Sequence, residues 1–395
     1  MKNSFFPKIE EFEFKDRRQR LRFLMEKKEI DVVIAYADDK ATFGQQFSRY
    51  YFNYQPHFEP ACVIIPLNMD SFIVTGPESE EFVYKNSYCK NVKIADVFTH
   101  PNEEYPFHKI QSFSELLLEF SKNSKKSTVN VGIAGSEMLP FKYWKKINNL
   151  DFVKIIEVDD MILQQRSIKS LQEIKVIEHA YSIAERGIQK GIEVIDKGIS
   201  EREIAAEIEY EMRKLGSEGM GIDTIVGSGK NNTHPILTRT TARQIKDGDH
   251  VLLTIAPRYE GYHGAIGRVV AIGQIDENIS DAYNIALEAQ EEVIKNMRPG
   301  IKGFELDKIA RDVCIANNYG KYFAYSGIHS VGVCEFESPI MTSWNKIEIN
   351  ENMILSIDIP LFFLDWGGLR IEDGFKITNS GNSALQNISK NIFYK

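Results

Sequence analysis

The sequence predicts a protein of the α/β class that is divided into two domains. Its 395 residues are enough for two domains that each bury a core. Short strand-like and helix-like segments follow one another closely up to residue 165, which is typical of a layered α/β domain. From residue 166 onward the amphipathic helices become longer and alternate with strands. We therefore expect one domain over residues 1–165 and a second over residues 166–395.

The first domain is predicted from runs of apolar residues and from helical periodicity. A helix is expected over residues 17–29, where Leu21 and Leu24 belong to its apolar positions. Apolar runs rich in valine and isoleucine predict strands over residues 31–37, 62–66, 71–75 and 129–134. A further helix is expected over residues 111–120. Mixed strands and helices with short connections again indicate an α/β unit.

The second domain is predicted from longer helical patterns. Apolar residues at helical spacing predict helices over residues 173–194, 200–215, 280–297 and 304–317. Ser200 and Glu203 form a capping-box pattern at the start of the second of these helices, and Pro299 follows the third. Strands are expected over residues 250–256, 262–272 and 353–359.

The composition excludes several classes of partner. The chain is 43% hydrophobic and 26% charged, and its net charge of −8 comes from acidic and basic residues that are interspersed. Because it has no basic stripe, we expect no nucleic-acid or anionic-membrane partner. Four scattered cysteines fit a reducing compartment, and the charged N-terminus lacks the apolar core of a signal peptide. No apolar run approaches the roughly 20 residues that span a bilayer. A cytoplasmic protein is expected.

Five segments of the second domain carry motifs in a distinctive order. They are RSIKS at 166–170, KDGDHVLL at 246–253 with GR at 267–268, GIHSVG at 327–332, a strand over 352–358, and GGLRIED at 367–373. Together they resemble the motifs of the creatinase, aminopeptidase P and Xaa-Pro dipeptidase superfamily. The resemblance implies a pita-bread catalytic domain over residues 166–395, whose concave face is a pit, and a smaller creatinase-type α/β domain before it.

The resemblance also implies where a metal site would lie. Peptidases of this superfamily bind two divalent metals through two aspartates, one histidine and two glutamates. The matching positions here are Thr254, Ala265, His329, Asp358 and Glu372. Two +2 ions need several anionic ligands, and both aspartates are absent, so we expect no dinuclear centre and no cofactor. The alternative is a single manganese, cobalt or zinc ion on His329, Asp358 and Glu372.

Strand alternation adds further residues to the pit, since side chains two residues apart share a face. His263 is two residues from Ala265, and Arg370 is two residues from Glu372. Imidazole and carboxylate groups can transfer protons near neutral pH, and an arginine can bind a substrate carboxylate through two hydrogen bonds. The predicted catalytic residues are His329, His263, Asp358 and Glu372, and the predicted substrate-binding residues are Arg370, Thr254, Glu337, His234 and Arg239.

Each of these residues also has a purely structural interpretation. His329 is alternatively a core histidine held by a backbone carbonyl, and His263 a strand residue that faces solvent. Asp358 and Glu372 alternatively form salt bridges with Arg370 or Arg268. His234 and Arg239 lie in a polar segment where a solvated turn is the default. Exposure is predicted for Glu335, near the mouth of the pit.

Three functions remain open at this stage. The first is a metal-independent hydrolase or lyase that cleaves a C–N or similar bond in a small carboxylate-bearing molecule, with creatinase as the precedent within the superfamily. The second is a divergent Xaa-Pro peptidase, acting on short peptides, that retains at most one metal. The third is a non-catalytic peptide-binding protein. The resemblance further implies a homodimer, in which the N-terminal domain of one subunit borders the pit of the other.

Overall fold

The computed structural model describes residues 6–100, 102–124 and 126–395. The chain forms two compact units, Ile9–Gln165 and Arg166–Lys395, and residues 6–8 belong to the second of them. Within the described residues, no helix combines the length and the apolar character that crossing a membrane requires.

The first unit is built on a seven-stranded sheet with the strand order β5-β4-β3-β2-β1-β6-β7. Strand β1 lies inside this sheet, antiparallel to β2 and parallel to β6, and all six of its residues are buried. The strands are β1 (Val32–Ala37), β2 (Ala61–Pro66), β3 (Phe72–Thr75), β4 (Val92–Ala95), β5 (Ile110–Gln111), β6 (Val129–Ala134) and β7 (Val153–Glu157). The helices are α1 (Glu11–Lys27), α2 (Gln46–Phe52), α3 (Glu80–Asn86), α4 (Phe113–Ser124), α5 (Phe141–Asn148) and α6 (Asp159–Ser167).

The strands predicted in this unit are confirmed as β1, β2, β3 and β6, because each is an apolar run that the sheet buries. The first helix begins at Glu11, earlier than its apolar pattern predicted. Its early turns bury charged residues together with Phe14. Arg17 is fully buried and its guanidinium donates to Glu13 and to the carbonyl of Tyr50. Because the periodicity of apolar residues does not register a buried arginine, it places the start of this helix too late.

The second unit contains a larger sheet with the strand order β15-β14-β16-β17-β13-β10-β9, to which β18 and β19 are added on β17 and β13. Its helices are α7 (Leu171–Val194), α8 (Glu201–Lys214), α9 (Gly229–Thr233), α10 (Glu277–Asn296) and α11 (Gly303–Ala316). Its strands are β8 (Gly219–Met220), β9 (Ile225–Ser228), β10 (His250–Ile255), β11 (Pro257–Tyr259), β12 (Tyr262–His263), β13 (Ile266–Ala271), β14 (Ile328–Ser330), β15 (Glu337–Ile340), β16 (Ile354–Leu364), β17 (Gly367–Ile377), β18 (Asn382–Ala384) and β19 (Phe393–Tyr394).

Helices α10 and α11 belong to the hydrophobic core that covers one face of the long β16–β17 hairpin. Leu355, Ile357, Ile359 and Ile371 point into this core and are fully buried. Because side chains alternate along a strand, the residues between them project from the opposite face. That opposite face carries the polar residues of β16 and β17.

The capping pattern predicted before the second long helix is confirmed. The Ser200 hydroxyl accepts from the N–H of Glu203, and the Glu203 carboxylate accepts from the N–H of Ser200. Ser170 and Glu173 make the same reciprocal pair at the start of α7. These bonds satisfy amides that would otherwise lack partners at a helix start.

The single strand predicted over residues 262–272 is wrong. The chain makes two strands there: β12 pairs with β11 in a separate three-stranded sheet, and β13 belongs to the large sheet. Gly264 lies at the change of sheet, where a Cβ atom would lie 2.6 Å from the backbone nitrogen of Tyr181 on α7. This close approach to the helix requires glycine. The alternation of side chains therefore does not continue from Gly267 back to His263.

Candidate functional site

A row of facing residues crosses four strands of the large sheet. Thr254 on β10 lies opposite Gly267 on β13, Gly267 lies opposite Glu372 on β17, and Glu372 lies opposite Asp358 on β16. Asp358 and Glu372 are 3% and 2% exposed. A Cβ atom at Gly267 would lie 3.1 Å from side-chain carbons of both Arg370 and Glu372, so this glycine makes room for them.

His329 on β14 lies opposite Ser356, which is two residues from Asp358 on β16. His329 Nδ1 donates to the carbonyl oxygen of Ser330 at 3.1 Å. Its Nε2 lies 3.9 Å from Glu372 and 4.0 Å from Glu335. Burial lowers the pKa of His329 to about 4, so the imidazole is neutral at pH 7. The structural alternative for His329 was a histidine held by a backbone carbonyl. The Ser330 carbonyl fills that role for Nδ1, but it leaves Nε2 facing the carboxylates. We call His329, Glu335, Ser356, Asp358, Arg370 and Glu372, together with Thr254, the pit.

Glu335 is the main correction to the site. The sequence predicted exposure, which is wrong, because the residue is only 8% exposed and faces His329. Burial, together with the Glu372 carboxylate, raises the pKa of Glu335 to about 8. Glu335 lies between β14 and β15, where the N–H of Gly332 donates to the carbonyl of Cys334 and turns the chain. Neither helical nor strand periodicity applies in such a turn, so the sequence pattern could not orient the side chain.

Asp358 faces a tyrosine that the sequence did not single out. The Tyr325 hydroxyl donates to Oδ2 of Asp358 at 2.7 Å, and Nη1 of Arg370 lies 3.7 Å from the same oxygen. Oδ1 of Asp358 is buried and has no hydrogen-bond partner among the described residues. Burial raises the pKa of Asp358 to about 6, although the Arg370 charge opposes this. Tyr325 precedes β14, outside any strand pattern that would have identified it.

Arg370 carries positive charge among these carboxylates. Its Nη2 donates to the Tyr325 hydroxyl at 3.1 Å, and its Nε is buried without a hydrogen-bond partner in the described part of the chain. Its Cζ lies 5.4 Å from the centre of the Phe362 ring. Arg268, the other arginine considered, makes a separate buried pair with Asp373 at 2.6 Å. Asp358 and Arg370 therefore form the ion pair that the structural alternative predicted. Their 3.7 Å separation is too long for a hydrogen bond.

Glu372 is held by a serine in the same pit. The Ser356 hydroxyl donates to Oε1 of Glu372 at 2.8 Å. Burial raises the pKa of Glu372, although Arg370 and the hydrogen bond from Ser356 oppose the shift. Ser356 was not predicted, but alternation along β16 would have found it, since it is two residues from Asp358.

Glu337 belongs to a different group of charges. Its carboxylate forms ion pairs with Arg166 and with Nζ of Lys169, the latter at 3.2 Å, and all three side chains are buried. Burial favours a higher pKa for Glu337, but the two cations outweigh it and hold the pKa below its usual value. The sequence placed Glu337 among the substrate-binding residues. The structure instead directs both of its oxygens toward cations of the same chain. We call Arg166, Lys169 and Glu337 the paired cluster.

His234 and Arg239 lie away from the row of facing residues. The carbonyl of His234 accepts from the N–H of Phe363 at 3.3 Å, and the two rings are 5.7 Å apart. This position is near the end of the β16–β17 hairpin, five residues along β16 from Asp358. The Arg239 side chain is 78% exposed and pairs with Asp223. The solvated segment considered as the alternative therefore describes Arg239 better than a place in the pit.

His263 is buried, with 1% exposure, so the alternative of a solvent-facing strand residue does not apply. Its Nδ1 donates to the carbonyl of Gly332 at 3.2 Å. A Cβ atom at Gly221 would lie 2.4 Å from Cδ2 of His263 and 3.3 Å from Cβ of Glu335. His263 therefore lies behind Glu335, on β12 of the small sheet, and not in the row that alternation had predicted.

The donor set of the pit fits one cation better than two. Nε2 of His329 and carboxylate oxygens of Glu335 and Glu372 all lie within 4.8 Å of one another. Thr254 and Ala265 supply no carboxylate on the opposite side of the row. The sequence had named Asp358 as the third ligand of a single ion. Its carboxylate is one methylene shorter than a glutamate and faces Tyr325, while Glu335 completes the group with His329.

Comparison with known proteins agrees with this architecture. The chain belongs to metallopeptidase family M24, whose sequence model matches residues 175–379. It is 32% identical over 327 residues to the Xaa-Pro dipeptidase of Pyrococcus furiosus, which covers 83% of this chain and 90% of that protein. It is 36% identical over 248 residues to the Xaa-Pro dipeptidase of Pyrococcus horikoshii, covering 63% and 70%.

Solved structures give the same result for the fold. The prolidase from Pyrococcus horikoshii OT3 superposes with a TM-score of 0.80 at 27% identity, covering 95% of this chain and 99% of that one. The X-Pro aminopeptidase from Thermotoga maritima MSB8 superposes with a TM-score of 0.80 at 25% identity, covering 96% and 99%. These matches confirm the superfamily and the pita-bread fold expected from the sequence motifs. The chain is a hydrolase of this family.

Proposed function

We propose that the chain hydrolyses the amide bond before proline in short peptides that carry a free carboxylate. The observation that carries the proposal is the pit itself, where buried carboxylates, a neutral imidazole and an arginine converge without full pairing. Unpaired buried charges destabilise a fold, so their concentration in one place is typical of a reactive site. The names of the two Pyrococcus relatives, Xaa-Pro dipeptidase, supply the substrate class.

The residues of the pit have complementary roles in this proposal. Arg370 makes no bidentate hydrogen bond to Asp358 and keeps Nε unused, so it can bind the substrate carboxylate. Asp358 has a free Oδ1 and a Tyr325 hydroxyl on its other oxygen, which lets it hold or pass a proton at the scissile amide. The family's hydrolases rely on bound divalent metal to activate water.

A second candidate is metal-independent cleavage of a C–N bond in another small carboxylate-bearing molecule. It is favoured by one observation: the permanent positive charge of Arg370 lies next to Asp358. This charge offsets the repulsion between the ionised carboxylates of Asp358 and Glu372. A fixed guanidinium can stabilise developing negative charge without a metal. A third candidate, a non-catalytic peptide-binding protein, predicts binding of the same peptides without turnover.

One assay separates these candidates. Purified full chain is incubated with Leu-Pro, with Leu-Ala, and with the C-terminal amide of Leu-Pro, in EDTA and after addition of Mn²⁺, Co²⁺ or Zn²⁺. We expect Leu-Pro to be cleaved faster than Leu-Ala, and the amide to react at least about tenfold more slowly, because it lacks the carboxylate that Arg370 binds. Asp358→Asn should lower kcat by about 100-fold or more.

The control variant is Lys308→Ala, which removes an exposed cation from α11 and should leave kcat and KM unchanged. Turnover of Leu-Pro that persists in EDTA would favour the metal-independent candidate. Binding of Leu-Pro by calorimetry without turnover under any metal would favour the non-catalytic one. Equal rates on Leu-Pro and Leu-Ala would contradict the proposed substrate class.

A further inference from the structure

Glu335 is a buried carboxylate, only 8% exposed. Its side chain points into the pit, where Oε1 lies 4.0 Å from Nε2 of His329. By the family resemblance this position belongs to none of the five metal ligands of the peptidases. A buried carboxylate that faces a second carboxylate costs free energy unless a cation or a proton satisfies it.

The histidine beside it is oriented like a metal ligand. Because Nδ1 of His329 donates to the carbonyl of Ser330, Nε2 carries the lone pair. That lone pair faces the carboxylates of Glu335 and Glu372, 4.0 and 3.9 Å away. Three electron-pair donors therefore converge on one point. Such a carbonyl contact on the second ring nitrogen is the usual arrangement around a histidine that binds metal.

The distances suit one small cation. Bonds from a zinc-like ion to nitrogen and oxygen are about 2.0–2.2 Å, so two ligand atoms of a tetrahedral ion lie about 3.3–3.6 Å apart. The two contacts of His329 are 3.9 and 4.0 Å and the three atoms together lie within 4.8 Å, so side-chain shifts of about 0.5–1 Å would close the group around an ion. Ser356, which donates to Glu372 at 2.8 Å, orients the third ligand.

We propose that His329, Glu335 and Glu372 bind a single divalent transition-metal ion, and that Glu335 supplies the ligand that Thr254 and Ala265 no longer provide. One imidazole and two carboxylates suit zinc, cobalt or manganese better than magnesium or calcium, which prefer oxygen alone. Three protein ligands leave a coordination position open for water or substrate. The proposal deepens the proposed function, since it concerns the same pit, but metal binding is measurable without any activity.

Arg370 does not occupy this position. Its guanidinium lies 3.7 Å from Asp358 and donates to the Tyr325 hydroxyl, and it makes no ion pair with Glu335 or Glu372 among the described residues. It is nevertheless a like charge in the same pit, so it weakens the affinity for a cation. We therefore expect the site to bind one ion and not a second.

The test is metal binding by chelator-treated full chain. Titration with Zn²⁺ against a competing chromogenic chelator should give one ion per chain, and Co²⁺ should produce visible d–d absorption bands. Glu335→Gln should weaken binding of both ions by at least about tenfold, since it removes an anionic ligand. Asp358→Asn should weaken binding less than Glu335→Gln does, and Glu292→Gln on the exposed surface of α10 should leave it unchanged.

Four results would overturn the proposal: no binding, two ions per chain, equal binding by the wild-type chain and Glu335→Gln, or a stronger loss from Asp358→Asn than from Glu335→Gln. Thermal unfolding of each metal-free variant verifies that it is folded. If one ion binds but Leu-Pro is not cleaved, the proposed function fails and the metal site stands. If Leu-Pro is cleaved by a chain that binds no ion, the metal site fails and the function stands.

Discussion

Glu335 and Glu337 are two residues apart and both are buried, yet they belong to different kinds of charged group. Glu337 lies between Arg166 and Lys169, and these cations hold its pKa below the usual value against the effect of burial. Glu335 faces another carboxylate and a neutral imidazole, and burial with Glu372 raises its pKa to about 8. The paired cluster is complete within the chain, whereas the pit is not.

The partners of a buried charge distinguish a structural role from a functional one. A buried carboxylate with two cations contributes to one defined fold, and its loss leaves the cations unpaired. A buried carboxylate that faces other electron-pair donors gains nothing from the chain itself, so a ligand, an ion or a proton must compensate for it. Removing a carboxylate of the first kind should therefore lower the free energy of unfolding, whereas removing one of the second kind should leave it unchanged or raise it.

The largest expected effect is in the paired cluster. Glu337→Gln should lower the free energy of unfolding by about 3–5 kcal/mol, because it leaves Arg166 and Lys169 buried without a counter-charge. Glu335→Gln should leave the free energy of unfolding of the metal-free chain unchanged or raise it. Urea denaturation of both variants in EDTA measures the contrast.

The control for that experiment is Glu178→Gln, which breaks a half-exposed pair with Lys376 and should cost less than about 1 kcal/mol. If Glu337→Gln were as stable as this control, or if Glu335→Gln were the more damaging of the two, the distinction between the paired cluster and the pit would be lost.

The next effect concerns histidines. His250 and His329 are both buried, and burial lowers the pKa of each to about 4, but the Nε2 of His250 donates to the carbonyl of Gly368 and its ring packs against Trp366. The pKa of His250 in the folded chain lies below its value of about 6.5 in the unfolded chain, so the unfolded chain binds the proton first as the pH falls. The contribution of the neutral imidazole to stability is therefore present above pH 6.5 and is lost at lower pH. Between pH 7 and pH 5, His250 alone should account for a loss of about 2 kcal/mol.

His250→Gln keeps a donor for Gly368 but does not titrate, so its stability deficit relative to the wild-type chain should shrink by that amount over the same pH interval. Urea denaturation at pH 7, 6 and 5 in EDTA provides the measurement. A deficit that stays constant with pH would mean that His250 is not a buried neutral histidine of the structural kind.

The smallest effect is expected at Thr254, whose hydroxyl is buried and has no hydrogen-bond partner among the described residues. Thr254→Val replaces that hydroxyl with a methyl group of similar size, so the free energy of unfolding should stay the same or rise by less than about 1 kcal/mol. Ser356→Ala is the matched comparison, because its hydroxyl donates to Glu372, and it should lower the free energy of unfolding by about 1 kcal/mol. Equal losses in the two variants, seen in denaturant titrations, would show that Thr254 has a bonding role in the pit.

The motifs and the strand pattern of the sequence predicted part of the geometry of the pit. Thr254, Asp358 and Glu372 lie in one row across β10, β13, β17 and β16, as the matching of their strands implied. Arg370 shares their face because it is two residues from Glu372 on a regular strand. The same alternation places Ser356, two residues from Asp358 on β16, on this face.

The tertiary structure decided what no local pattern could. His263 left the predicted row because the chain changes sheets at Gly264, which a side-chain period does not reveal. Glu337 was predicted to bind substrate. In the structure it pairs with Arg166 and Lys169, which come from distant positions in the sequence.

The family, the pita-bread fold and the absence of two aspartates from the metal positions follow from the amino-acid sequence, because they depend on residue identity and on spacing along regular strands. That Glu335 joins His329 and Glu372, and that Asp358 faces Tyr325, is visible only in the folded chain. Glu335 and Tyr325 lie outside the regular strands, in connections whose direction depends on the long-range packing around them.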